Sequence, residues 1–334
     1  MIELERDALV FTFPEVHPDA TLRVEFQRTL RIPDDGRAYP LPPGLGRFPL
    51  RHVDDFAGRV PETWMAHGGV MLPMYQSEAT WLSFSSPKGY PFAAKVATGK
   101  VSAVTGEAWR EGLHRDPQDY LSIPRQPWLD GYCVARGAVR QFVAMPLGAG
   151  YSAEEQVTGR AEHGGLQVSA YPVKREVWER ILEERRREQR RRMMLESVHH
   201  DLMCAVPAAP AFDMGLAPGG RMRQEIYEDP YALADWDQRQ CSRCFVHVAN
   251  SLVWRSVTGE APPTVPPTAA EYTRAGLPWF DYYAERAGAV EGSSVLGKLK
   301  SVFQLGKEKG DVPLPENESV TPARVVRLRD GLRP

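Results

Sequence analysis

The chain is poor in cysteine and has no long apolar segment. Four cysteines in 334 residues are too few to staple a fold of this size, so we expect reduced thiols and no disulfides. No uninterrupted apolar run approaches the ~18 residues that a membrane-spanning helix needs. The charged segment 1–7 is not followed by the apolar core of a secretory signal. These absences predict a soluble, cytoplasmic protein without a membrane partner.

An excess of charge of one sign is also lacking. Lys and Arg number 41 against 43 Asp and Glu, for a formal net charge of −2, which gives no global signal for nucleic acid or an anionic membrane. Hydrophobic residues make up 43% of the chain, enough to fill a core. The 28 glycines and 29 prolines exceed average usage and favour β structure with many turns over a helical bundle.

Hydrophobic periodicity changes near residue 172. Before it, short alternating segments such as 21–26 are separated by Gly and Pro turns, and Thr98-Gly99 is a hairpin signal. Segment 174–203 lacks Pro and Gly and carries apolar stripes at helical spacing at both ends. Segment 244–250 fits either a strand or the start of a helix, and Thr268 with Glu271 fits a capping box. We therefore predict an α+β fold: a β-rich N-terminal half forming an antiparallel sandwich or barrel, a long helix, and a mixed C-terminal half.

These changes define four predicted regions: a β-rich domain (1–172), a long charged helix (173–206), a mixed region of helix and loop packing on the first domain (207–289), and a flexible tail (290–334). Between Lys174 and Arg192 the helix has nine cations and five acids. Its Glu–Arg pairs at i,i+4 favour a solvent-exposed helix, although a partner or nucleic-acid surface is the alternative.

Two kinds of Gly-rich motif match parts of known sites. His67–Gly69 and His163–Gly165 resemble an oxyanion-hole loop of esterases, but no Gly-x-Ser-x-Gly turn accompanies them. Gly148–Ala153 matches the Gly-x-Gly-x-x-Ala pattern of dinucleotide sites. The helix predicted after it starts at Ser152, with Glu155 completing a capping box, and is too short for a βαβ crossover. We therefore interpret the two His-Gly-Gly segments as loops that enter strands and the third segment as a surface turn.

A weak zinc pattern occurs late in the chain. Cys241 and Cys244 have the spacing of half a zinc site, and a structural zinc needs two further ligands. His200 and Cys204 would supply them from one face if 199–204 is helical. No cofactor is predicted, and zinc is kept as the alternative to small buried thiols.

Loops that combine arginines, carboxylates and aromatic rings form the candidate ligand site. Arg221 and Arg223 would point to the same side of an extended segment, with Glu225 as their expected internal partner. The full set of candidates is Arg221, Arg223, Trp128 and Asp130 for ligand binding, and His67, His163, His247, Glu225 and Asp229 for catalysis.

Segments 126–131, 139–148, 219–227 and 276–283 resemble a family of uncharacterised proteins. The family occurs in actinobacteria, with looser relatives in other microbes and fungi, and its members are often labelled integral membrane proteins. The resemblance spans roughly residues 20 to 285. It implies no activity and carries over no functional residue, and the membrane label conflicts with the hydropathy of this chain.

No catalytic signature is complete, so the sequence predicts a binding or assembly module. Its partner would be a protein, a second copy of the chain or a small anionic ligand, with nucleic acid disfavoured. The alternative is an enzyme whose anionic-substrate pocket is built from Arg221–Asp229 and the loop near Trp128. A concave pocket shared by these segments and a histidine would favour the enzyme, and their burial as core anchors would oppose it.

Overall fold

The computed structural model describes residues 1–192, 214–282, 288–312 and 317–328. The strands are β1 (Ile2–Leu4), β2 (Leu9–Thr12), β3 (Thr21–Thr29), β4 (Ala38–Tyr39), β5 (Arg51–His52), β6 (Val70–Met74), β7 (Ala79–Ser85), β8 (Phe92–Thr98), β9 (Val101–Ser102), β10 (Leu121–Ile123), β11 (Trp128–Leu129), β12 (Gly131–Ala135), β13 (Ala138–Pro146), β14 (Leu166–Pro172), β15 (Met214–Arg223), β16 (Ser242–Asn250), β17 (Trp279–Asp281) and β18 (Val325–Arg327). The α-helices are α1 (Glu62–His67), α2 (Ala153–Thr158), α3 (Arg175–Arg192), α4 (Ser251–Thr258), α5 (Ala269–Arg274), α6 (Ser294–Gly297) and α7 (Val302–Lys309), and single 3-10 turns occur at Asp54–Phe56 and Leu233–Asp235.

Two large sheets form the body of the protein. The first has the order β1-β2-β3-β7-β13-β15-β4, with β11 paired to β7 and β12 to β13. The second has the order β10-β8-β14-β16-β6-β5, with β9 paired to β8. Side chains from the inward faces of both sheets join in one main hydrophobic core.

The α+β, β-rich fold is confirmed, but the sheets are not purely antiparallel. β15 runs parallel to β4, and β16 runs parallel to β6. Parallel neighbours need a long connection, and here each partner comes from the opposite half of the chain. The sheets are mixed and are not closed into a barrel, which corrects the expected purely antiparallel pairing and the barrel alternative. The two sheets do pack on one shared core.

Strands from the second half lie inside both sheets. β15 lies between β13 and β4, and β16 lies between β14 and β6. We expected helix and loop packing on a first domain, because Pro218, Gly219 and Gly220 indicate a break in regular structure. These residues instead lie within β15, where a Cβ on Gly220 would come within 2.4 Å of the Pro33 carbonyl oxygen. Gly220 therefore allows the Pro33 backbone to approach closely and does not end the strand.

The predicted tail and helix are only partly as expected. Between 290 and 328 the described chain forms α6, α7 and β18, and Ser293 and Ser301 cap the two helices. Leu296 and Val302, one from each helix, are buried. α3 begins near the predicted start, and the part expected at 193–206 lies outside the described residues. Among the helices described, none is long and apolar enough to cross a membrane.

Candidate functional site

Trp128 and Asp130 are buried anchors. Trp128 is 3% exposed and packs with Leu41, Trp81 and Phe280. The Asp130 carboxylate accepts a hydrogen bond of 2.9 Å from Gln224 Nε2. The segments near Trp128 and from Arg221 to Asp229 therefore meet as predicted, but through buried hydrogen bonds.

The two predicted ligand-binding arginines have different surroundings. Arg223 donates from Nη2 to Asp281 Oδ1 at 2.9 Å and from Nε to the same oxygen at 3.2 Å. Asp281, rather than the expected Glu225, is therefore its partner. Arg221 is exposed on β15. Since Arg223 is already neutralised, the two arginines are not a ready pair for an anion.

The two carboxylate candidates lie in this same buried region. Asp229 Oδ2 accepts hydrogen bonds from the Tyr120 hydroxyl at 2.6 Å and from Trp236 Nε1 at 2.8 Å. Glu225 is half-buried, and its backbone carbonyl accepts from Gln126. Within the described ranges no histidine forms an ion pair with either carboxylate. Asp229 therefore orders a buried network rather than orienting a base.

The three candidate histidines come together elsewhere. His67 ends α1, His163 precedes β14, and His247 lies in β16. The ring centroid of His67 is 5.7 Å from that of His163 and 6.2 Å from that of His247. They lie on the side of the second sheet that faces away from the first. We call this surface, formed by His67, His163, His247, Phe245, Lys100 and Arg243, the histidine face.

The repeated His-Gly-Gly motif builds this arrangement. Each motif leads into a strand flanking β16, β6 on one side and β14 on the other. A Cβ on Gly69 would lie 2.2 Å from the Phe245 carbonyl oxygen, and a Cβ on Gly165 would lie 2.5 Å from that of Val246. Only glycine permits this approach, so the motif brings two histidines beside one strand.

His247 is the buried member. Its ring, 3% exposed, stacks on Trp64 at 4.7 Å, and its Nε2 lies 3.0 Å from the Gly68 carbonyl oxygen. Burial lowers the pKa of His247 to about 4, although the hydrogen bond to Gly68 opposes the shift. The ring is therefore neutral near pH 7, with its proton on Nε2.

His67 lies in a field of positive charge. Its ring stacks on Phe245 at a centroid distance of 4.5 Å. Burial lowers the pKa of His67, and Lys100, His163 and Arg243 lower it further by repulsion. Lys100 Nζ is 6.0 Å and Arg243 Cζ is 5.7 Å from the Phe245 ring centroid. The field that disfavours a protonated His67 favours an anion.

The histidine face also holds unused hydrogen-bonding groups. His163 Nδ1 is buried, and it has no hydrogen-bond partner among the described residues. Gln167, 1% exposed and opposite Phe245 in the β14–β16 register, likewise has no partner for Nε2 or Oε1 in those ranges. A buried polar group left unpaired costs roughly 1–3 kcal/mol, so these atoms need water or a ligand.

The predicted metal ligands are not gathered in the described part of the chain. Cys244 is buried with the core, and burial raises the pKa of its thiol to about 12, whereas Cys241 is exposed. No group of three or more His, Cys, Asp or Glu in the described ranges has metal-binding geometry. His200 and Cys204 lie outside those ranges, so the zinc alternative stays untested.

The backbone amides of the Gly-x-Gly-x-x-Ala segment are hydrogen-bonded to the side chain of a neighbouring residue. Glu155 accepts hydrogen bonds from the backbone nitrogens of Gly150 at 2.6 Å and Ser152 at 3.1 Å. The Ser152–Glu155 capping box is present as predicted, and α2 ends at Gly159, which has φ +73°. The amides that would hold a pyrophosphate are therefore occupied.

The sequence did not indicate four residues on or next to the histidine face: Lys100, Gln167, Arg243 and Phe245. One signal was available for two of them. Arg243, Phe245 and His247 alternate along β16, which puts all three on one face once the segment is assigned as a strand. Periodicity left that segment undecided between strand and helix. Lys100 and Gln167 are brought next to Phe245 only by the pairing of strands within the sheet.

Comparison with protein-family models, curated proteins and solved structures finds no significant match to this chain. Its function therefore has to be inferred from the chemistry of its own residues.

Proposed function

We propose that the protein is a binding module and that the histidine face is its recognition surface. The observation that carries this proposal is the convergence of His67, His163 and His247 from three separate segments around Phe245. A stable core does not require a half-exposed histidine with a buried, unpaired nitrogen. Such a residue is explained if a bound group completes its hydrogen bonds.

The hydrogen bonds of these histidines favour binding over acid–base catalysis. A catalytic histidine is normally oriented by a carboxylate or similar partner. His67 instead bonds to the Thr63 backbone, and His247 to the Gly68 carbonyl. The His163 ring has exposed Glu162 at 3.9 Å from Nε2, too far for a hydrogen bond, and Glu154 accepts from the His163 backbone nitrogen rather than from the ring. The predicted enzyme pocket gains no support from Trp128 and Asp130, because both are buried anchors.

The proposal is tested by native mass spectrometry of the purified protein, before and after exposure to a metabolite library. A retained or captured ligand should be lost in a Phe245→Ala variant. It should persist in an Arg221→Ala, Arg223→Ala variant, whose changes lie on the first sheet. Equal retention by all three proteins, loss in the arginine variant alone, or no ligand on the native protein would contradict the proposal.

A further inference from the structure

We infer that the histidine face binds a small multivalent oxyanion, with phosphate or carboxylate oxygens held between Lys100 and Arg243 and against His67 and His163. This inference rests on the proposed function and names its ligand class. Its support comes from three features of the face: a lysine without an ion pair, an arginine in an exchangeable ion pair, and two partly exposed histidine rings.

Lys100 lies in a turn and has a backbone conformation that is energetically unfavourable for residues other than glycine. It follows Gly99 in the β8–β9 hairpin, where Gly99 has φ +51° and Lys100 has φ +61°. A residue other than glycine in this left-handed region costs roughly 1–2 kcal/mol. No carboxylate in the described ranges lies within ion-pair distance of its ammonium group. The turn therefore presents an ammonium group without an ion pair beside Phe245, and the buried Glu154 carboxylate lies close to Gly99 in the same turn.

Arg243 supplies the second charge in a form that a ligand can use. Its Nη1 donates to Glu111 Oε1 at 2.7 Å, and the side chain of Glu111 is 71% exposed. Exposed pairs of this kind contribute only about 0–1 kcal/mol, so a multivalent anion can replace Glu111 at little cost. Arginine also matches the oxygen spacing of phosphate and carboxylate groups.

Hydrogen-bonding groups on the same face select an oxyanion over a simple halide. The rings of His67 and His163 can each donate a proton to an oxygen when they carry it on the exposed nitrogen. The Gln167 amide, opposite Phe245 in the sheet, is 1% exposed, so it lies beneath the proposed anion and does not contact it directly. Multivalency is expected because two separate cations flank the ring, one from a hairpin and one from β16.

The inference is tested by isothermal titration of the full chain at low ionic strength and pH 6.5, using inorganic phosphate in one arm and citrate in the other. A Lys100→Asn variant should bind the preferred anion at least tenfold more weakly. Asn tolerates the left-handed conformation, so this variant should retain the urea midpoint of the native protein. Lys307→Asn, an exposed change on α7, is the matched control and should bind like the native protein.

Preference for phosphate identifies phosphate chemistry, and preference for citrate identifies carboxylate chemistry. Failure of both anions to bind the native protein, or undiminished binding by Lys100→Asn, would overturn the inference. If both anions fail while mass spectrometry finds a ligand that depends on Phe245, the proposed function stands without this ligand class. If no such ligand is found either, both proposals fail.

Discussion

At the scale of single residues, burial decides which histidines can respond to their surroundings. His247 is enclosed by Trp64 and the Gly68 carbonyl, so it contributes a fixed hydrogen bond and a flat surface. His67 and His163 are half-buried and keep contact with solvent. The same residue type therefore serves two purposes on this face: one ring supports it, and two rings can meet a ligand.

The buried His247 predicts a loss of stability in acid. Its pKa is about 4 in the folded protein, below its ordinary value of 6.5, so the unfolded chain binds the proton more readily. The contribution of His247 is fully present above pH 6.5 and is lost as the pH falls through 4. We expect up to about 3 kcal/mol of lost unfolding free energy, measured by urea denaturation at several pH values. A His247→Phe variant should lack this part of the pH dependence, and an unchanged profile would contradict the assignment.

Gly69 predicts a steric requirement that its neighbour Gly68 does not share. Gly69 has φ +89°, and a Cβ would lie 2.2 Å from the Phe245 carbonyl oxygen, so Gly69→Ala should cost about 2–5 kcal/mol of unfolding free energy. Gly68 has φ +63° with nothing within 4 Å of the same position. Because Gly68 has ψ −155°, in a region essentially confined to glycine, Gly68→Ala is the control for backbone strain without the contact, at about 1–3 kcal/mol. Equal costs would show that contact with β16 is not what requires glycine.

At the scale of secondary-structure elements, the sequence predicted the strands and helix ends that depend on neighbouring residues. The alternation in 21–26 became β3, with Leu22, Val24 and Phe26 buried, and Thr268–Glu271 became the capping box of α5. The undecided segment after Cys244 proved to be both strand and helix, since β16 is followed directly by α4. β15 was missed because its Pro and Gly residues indicate a break, and only its distant neighbours explain them.

A buried ion pair and a hydrogen bond link three segments of the chain and predict a large mutational effect. Arg28 Nη2 donates to Glu78 Oε1 at 2.7 Å and to the Thr264 carbonyl at 2.9 Å. Both paired side chains are 0% exposed, and burial raises the pKa of Glu78 to about 7 while Arg28 opposes the shift. Arg28→Met should cost about 3–5 kcal/mol in urea unfolding, because it leaves a buried carboxylate unpaired.

The companion variant separates the pair from the packing around it. Arg28→Met combined with Glu78→Met removes both charges, and most of the lost stability should return. If the double variant is as unstable as the single one, the bond to Thr264, rather than the ion pair, stabilises this region.

At the scale of the whole molecule, the two halves of the chain form a common framework. β15 and β16 occupy interior positions in sheets whose other long strands come from the first half. The histidine face shares this origin, because His67 and His163 come from the first half and His247 from the second. The sequence indicated the three histidines separately, but their convergence depends on strand order, which no local pattern determines.

This shared framework predicts that the first half does not fold alone. A fragment of residues 1–192 would leave β13, β14 and β6 without β15 or β16 and expose their hydrogen-bonding edges. We expect such a fragment to lack dispersed amide signals in NMR spectra and to unfold without a cooperative transition. A well-dispersed spectrum with cooperative urea unfolding would instead show that the first half is an independent domain.

The central claim, that the histidine face is the binding surface, is tested most directly by NMR of the histidine rings at pH 6.5. The titrant is phosphate or citrate, whichever binds the native protein more tightly in calorimetry. The Cε1–H signals of His67 and His163 should shift with a common saturable dependence on this anion. The signal of His17, which packs on Tyr90 and Trp178, should stay in place at constant pH and ionic strength. Absence of shifts at His67 and His163, or equal shifts at all three residues, would show that the anion binds elsewhere and would contradict the account.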